Sequence, residues 1–166
     1  MYAVGKIRDI YAGTAFTKAE PTKSNEDGMA KTFEFYQELC QMHGRGLVYT
    51  NLVDFDMKFG HRRDAEGYGA SLVEFDTQLK TLTKIIDEDT VIVLTADHGC
   101  DPKFTGTDHT REYVPLIVYG ANVRPNQTEE LISYPSFADL GATIADYFEV
   151  NYSGAGTTFA KTIFQD

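Results

Sequence analysis

The sequence predicts an α/β fold, a mostly parallel sheet with helices on both faces. Three observations carry that prediction. Apolar strand-like runs alternate along the chain with stretches of helical periodicity. Two of those runs, Val91-Ile92-Val93-Leu94 and Leu116-Ile117-Val118, are continuous rather than alternating, the pattern of strands buried on both faces of a parallel sheet. The 166 residues are one domain's worth, and a 42% hydrophobic, 13% aromatic content is enough for a single core of ordinary size.

The elements follow in order. Residues 2–7 read as the first strand and residues 10–21 as a surface loop. Met29, Phe33, Tyr36 and Cys40 then recur at helical spacing, with Ser24 or Asn25 as N-cap and Glu26 and Asp27 favouring the helix dipole. Residues 47–53 make the second strand. Leu72, Phe75, Leu79, Leu82 and Ile86 mark one face of a long helix that Asp64 would cap. Residues 91–96 and 115–119 supply the third and fourth strands, and residues 120–135 a second surface loop. Ser136-Phe137-Ala138-Asp139 resembles a capping box, opening a helix that buries Leu140, Ile144 and Phe148. A last short helix fits residues 157–164.

Composition excludes several classes. With 25 acidic against 15 basic residues and a net charge of −10, the chain lacks the basic balance of a nucleic-acid binder. No run approaches the roughly 18 apolar residues of a membrane span. The N-terminus has no charged region followed by a long apolar stretch, so a signal peptide is not expected and a cytoplasmic location is. Cys40 and Cys100 do not make a disulfide framework.

Three of the four histidines stand beside acids in three short segments: Asp54-Phe55-Asp56 with Gly60-His61-Arg62-Arg63-Asp64, then Asp97-His98-Gly99-Cys100-Asp101, then Asp108-His109-Thr110-Arg111-Glu112. Carboxylates mixed with imidazoles suit Mn²⁺, Zn²⁺ or Fe better than Mg²⁺ or Ca²⁺. Asp54 and Asp56 follow the second strand and Asp97 and His98 the third, so both loops should emerge at one sheet edge, where ligands collect. Asp54 suits metal binding or backbone capping equally, and Cys100 reads as a packed neighbour of the site. His43, near a helix C-terminus with no acid beside it, reads as structural. Arg62, Arg63 and Arg111 could each hold a phosphate or simply pair with nearby acids.

The strings Thr50-Asn51-Leu52-Val53-Asp54-Phe55-Asp56, Gly60-His61-Arg62-Arg63-Asp64, Asp97-His98-Gly99-Cys100-Asp101-Pro102 and Thr107-Asp108-His109-Thr110-Arg111-Glu112 resemble the phosphopentomutases, a family of the alkaline phosphatase superfamily. The resemblance implies an alkaline-phosphatase-like core and interconversion of ribose or deoxyribose 1- and 5-phosphates through a phosphothreonine enzyme and two Mn²⁺ ions. It also implies that Asp97 and His98 bind one ion while Asp56, His61 and His109 bind the other. In the family the nucleophilic threonine, a further aspartate ligand and a sugar-gripping cap precede the matched part. Thr14, Thr95 and Thr107 do not stand at the nucleophile's position. Residues 1–166 are therefore expected to form the C-terminal part of a mutase core that is poorly soluble and inactive alone, with the missing N-terminal part as a partner. Other members of the superfamily, a phosphatase or a phosphoglycerate mutase, and a non-catalytic metal-binding fragment are the competing readings.

Overall fold

Tyr2-Ala3-Val4 forms strand β1 (Tyr2–Val4), the middle of a parallel sheet ordered β2-β1-β3 in this computed structural model. Strand β2 is Lys18–Glu20 and β3 is Val48–Thr50; Tyr2 lies opposite Lys18 and Val48, and Val4 opposite Glu20 and Thr50. All three β1 residues are buried, as a central strand requires. The structure describes residues 1–42, 44–125 and 132–164, so His43 and part of the 120–135 loop lie outside it. The described chain divides into one unit of Met1–Ile85 with His98–Glu112 and a second of Ile86–Asp97 with Tyr113–Asp166.

In the first unit, α1 (Ile7–Ile10) and α2 (Asn25–Gln41) connect the three strands. Ser24 caps α2 by accepting the Asp27 N–H at 3.1 Å, as expected. The core partner of the sheet is Phe35, wholly buried and edge-on to Tyr2 with ring centroids 5.1 Å apart; Leu39 and Val48 pack around them. This corrects the expected face. Met29 is buried, but Phe33 and Tyr36 are half-buried and Cys40 is exposed. The contact row is Gly28, Thr32, Phe35 and Leu39, spaced as one helix face. A Cβ at Gly28 would press on Leu52, and the Thr32 hydroxyl meets that of Thr50 at 2.7 Å. A glycine and a threonine in the row hide it from hydrophobic periodicity.

The expected loop over residues 10–21 also needs correction, since it contains β2 and the end of α1. Lys18-Ala19-Glu20 is short, charged and half-buried, the character of a protected edge strand. Lys18 ion-pairs with Glu38 at 2.9 Å and lies over the Phe35 ring, 4.6 Å from its centroid. The Tyr2 hydroxyl also donates to Glu38, at 3.0 Å. These two donors hold the Glu38 carboxyl below its ordinary value.

After β3 the chain makes a π-helical turn, Phe55–Gly60, and then α3, Ala65–Leu82. Asp64 caps α3 by accepting the Gly67 N–H at 2.8 Å, as expected. Of the expected buried face, Leu82 is buried and Phe75 and Leu79 are half-buried, whereas Leu72 is 46% exposed and Ile86 lies past the helix end.

The second unit holds β4 (Ile92–Thr95) and β5 (Leu116–Tyr119), paired antiparallel with Ile92 opposite Tyr119 and Thr95 opposite Leu116. The α/β class holds, with helices and the parallel β2-β1-β3 sheet, but the reading of residues 91–94 and 116–118 as strands of a parallel sheet is corrected. Strands β3 and β4 lie in separate sheets, and β5 alternates between half-buried and exposed residues, with Ile117 54% exposed. A continuous apolar run does not report the pairing direction. Helix α4 (Phe137–Tyr147) opens on the expected capping box, Ser136 with Asp139. Its buried residues are Asp139, Ala142 and Thr143, while Leu140, Ile144 and Phe148 are half-buried. The reason is polar: Asp139 accepts the Thr157 N–H at 2.8 Å, and Thr143 accepts the Phe159 N–H at 3.0 Å. Those bonds dock the tail that ends in α5 (Ala160–Ile163).

Phe35→Ala is expected to lower the unfolding free energy by about 3–5 kcal/mol in urea titration, the usual loss for a large aromatic deleted from a core. The lowered Glu38 carboxyl stabilises the fold above its ordinary value of 4.5, and that contribution fades as pH falls through the lowered value. Melting curves of wild type and Glu38→Gln should therefore differ at neutral pH and converge in acid.

Candidate metal centre

The π-turn creates the site. Asp56 and His61 are five residues apart, which in an α-helix would turn their side chains about 140° away from each other. The His61 N–H instead donates to the Asp56 carbonyl at 2.9 Å, an i→i+5 bond that widens the turn. Both side chains then converge, with His61 Nε2 at 3.3 Å from Asp56 Oδ1. The turn starts from an anchored point. Asp54 is buried, donates its N–H to Asn25 Oδ1 at 2.9 Å and accepts the Asn25 N–H on Oδ2 at 2.9 Å. Lys58 also donates to Oδ2, at 3.0 Å. Asp54 thus takes the backbone-capping role that its sequence position left open.

The third donor arrives from the 101–109 loop. His109 Nε2 lies 3.4 Å from Asp56 Oδ1 and 3.1 Å from His61 Nε2. One donor atom from each of Asp56, His61 and His109 falls within 4.8 Å of the other two. Two nitrogens and a carboxylate oxygen this close form a donor set that fits Mn²⁺, Zn²⁺ or Fe. The tautomer of His61 suits ligation, because its Nδ1 donates to the Thr107 carbonyl and leaves the Nε2 lone pair facing the other donors.

His98 joins the same cluster by stacking on His109, with ring centroids 3.6 Å apart and planes 19° from parallel. Its Nδ1 donates to the Gly99 carbonyl at 3.0 Å, which again leaves Nε2 as the accepting nitrogen. Asp97 follows β4 and belongs to the second unit, whereas His98 belongs to the first. Strands β3 and β4 lie in different sheets, so the loops that follow them do not share the edge of a single sheet. What gathers His98, His109, His61 and Asp56 in the first unit is loop packing.

Cys100 is the packed neighbour expected, and Arg63 takes a role that the sequence did not show. The Cys100 thiol donates to Asp56 Oδ1 at 3.5 Å, and burial followed by that carboxylate pushes the thiol's pKa up. A Cβ on Gly60 would overlap Cys100 Sγ and the Phe55 carbonyl, so only glycine allows this approach. Arg63 is engaged by main-chain acceptors. Its guanidinium donates to the carbonyls of Asp101 at 2.6 Å, Asp108 at 2.8 Å and Gly106. Backbone acceptors leave no side-chain signal in a sequence, which is why this role was not legible there. Arg62 and Arg111 are exposed.

A family description fits this chemistry. The family model of the metalloenzyme superfamily matches residues 5–152, and the chain belongs to that superfamily. Among its relatives, the phosphopentomutase of Kosmotoga olearia is 48% identical over 163 residues, 98% of this chain and 40% of that protein. The phosphopentomutase of Clostridium novyi is 47% identical over 161 residues, and that of Desulfitobacterium hafniense 49% over 157 residues. The chain spans about two-fifths of the length of these relatives, with 40% of the first covered. No described helix is long and apolar enough to cross a membrane.

Asp56→Asn should accelerate alkylation of Cys100 severalfold at pH 8 in chelator, because removing the carboxylate lowers the thiol's pKa. Peptide mass spectrometry reads the rate, with exposed Cys40 as the internal reference.

Proposed function

We propose that this chain contributes the metal-holding part of a phosphopentomutase, which interconverts ribose or deoxyribose 1-phosphate and 5-phosphate. The observation that carries the reading is the convergence of Asp56, His61 and His109, on a chain close in sequence to phosphopentomutases along nearly its whole length. In this reading those three residues hold one Mn²⁺, and Asp97 and His98 belong to the second. A divalent ion bound there supplies Lewis acidity toward a phosphoryl oxygen and offsets its charge. The net charge of −10 would otherwise repel a sugar phosphate, so the ions also reverse the local sign.

The chain's own residues position the donors. The Thr107 carbonyl holds His61 in the Nδ1–H tautomer, the Cys100 thiol steadies Asp56, and His98 stacks against His109. The nucleophilic threonine and the groups that grip the sugar are assigned, in this reading, to polypeptide outside the 166 residues. The competing mutase and phosphatase readings within the superfamily share the ligand types, and the strings around His61 and His98 favour the pentomutase.

The test is a chimera in which this chain replaces the matching part of the Kosmotoga olearia relative. Conversion of ribose 5-phosphate with Mn²⁺, followed by ³¹P NMR, is expected for the chimera and not for the 166 residues alone. His109→Ala should abolish turnover and weaken Mn²⁺ binding by more than about tenfold. A folded, Mn²⁺-binding chimera with no mutase activity would overturn the reading.

A further inference from the structure

The loop between Gly99 and Thr110 has no regular structure, yet it supplies His109 and sets the tautomer of His61. Its base is closed by the antiparallel bridge of Gly99 with Thr110, where the Thr110 N–H donates to the Gly99 carbonyl at 3.1 Å. The Asp101 N–H donates to Thr110 Oγ1 at 2.7 Å, and Thr110 Oγ1 donates in turn to Glu112 at 2.7 Å. Above that base, the loop's carbonyls point toward the 56–64 segment. Three of them, Asp101, Gly106 and Asp108, converge on the Arg63 guanidinium. A fourth, Thr107, receives His61 Nδ1.

Arg63 holds this position at φ +58, in the left-handed region where a glycine would be at ease and a long side chain is strained. A strained arginine whose three nitrogens all reach main-chain acceptors is more than a solvated surface charge. A planar fork of fixed donors can span three separate carbonyls, whereas a lysine ammonium presents its donors from one atom. We infer that Arg63 is a positioning residue that templates both imidazoles of the site, His61 and His109, by clamping the backbone of the 101–109 loop. The inference rests on the metal-site reading for its affinity arm alone. The tautomer of His61 and the seating of the loop are properties of the protein without metal.

The decisive variant is Arg63→Gly, which removes the guanidinium and relieves the left-handed strain together, the relief offsetting part of the entropy that glycine adds to the unfolded chain. Arg63→Lys keeps the charge and loses the fork. The whole 166-residue chain, uniformly ¹⁵N-labelled and in chelator, is read by long-range ¹H–¹⁵N correlation of the imidazoles. Mn²⁺ affinity is then read by EPR of the free ion. In wild type, His61 should carry its proton on Nδ1. In Arg63→Gly it should shift toward Nε2–H, with Mn²⁺ binding weaker by about 10–100-fold. Arg63→Lys should resemble Arg63→Gly in both readouts, and millimolar methylguanidinium should restore part of the wild-type signal to Arg63→Gly. A His61 tautomer unchanged in both variants, with Mn²⁺ affinity within about twofold of wild type, would overturn the inference. If wild type binds no Mn²⁺, the metal-site reading fails and the imidazole spectra still decide the role of Arg63. Should Arg63→Gly fail to fold, Arg63→Lys decides by the same two readouts.

Discussion

The reciprocal pair between Asp54 and Asn25 is the constraint on which the first unit depends. Each residue donates its backbone N–H to the other's side-chain oxygen at 2.9 Å, and both are buried. Asn25 also donates to Ser71 Oγ at 3.3 Å, so one cluster joins the start of α2, the exit of β3 and the body of α3. Buried polar groups of this kind leave little freedom, because a broken member strands its partner without water at about 1–3 kcal/mol. The chain therefore leaves β3 in a fixed direction, and the π-turn that carries Asp56 and His61 begins from a rigid point.

Electrostatics and backbone chemistry then divide the work at the site. The donor set contains one carboxylate and two imidazoles, so it carries less negative charge than an all-acid cage and favours ions that accept nitrogen. Around it, the second layer consists largely of main-chain carbonyls, those of Thr107 and Gly99 on the histidines and three more on Arg63. Carbonyl acceptors fix ring tautomers without adding a titrating group. The exception is the Cys100 thiol, which stays protonated because burial and Asp56 both disfavour its thiolate. It can act as a donor to the carboxylate for that reason.

Some of this was legible in the residues. Caps are local, so Ser24, Asp64 and Ser136 with Asp139 could be placed from sequence spacing alone. The donor types of the candidate site were also legible, because the chain has only four histidines and three of them, His61, His98 and His109, stand in segments beside acids. The α2 core face was not, since Gly28 and Thr32 occupy positions that a hydrophobic pattern counts as polar. Nor was the role of Arg63, because its partners are carbonyl groups that every residue possesses.

By itself, then, the sequence determined where α2, α3 and α4 start, which side chains carry ion-binding donor types and which family the chain resembles. Those properties depend on residue type and short spacing. Tertiary structure alone decided that β4 pairs antiparallel with β5 rather than joining β3 in one sheet, because an apolar run carries no direction. It also decided that Asp56 and His61 converge through a π-turn and that His109 reaches them from 48 residues beyond His61. The physical reason is the same in each case: these arrangements are set by backbone hydrogen bonds, local in the π-turn and long-range elsewhere, and nearly every residue offers those groups equally.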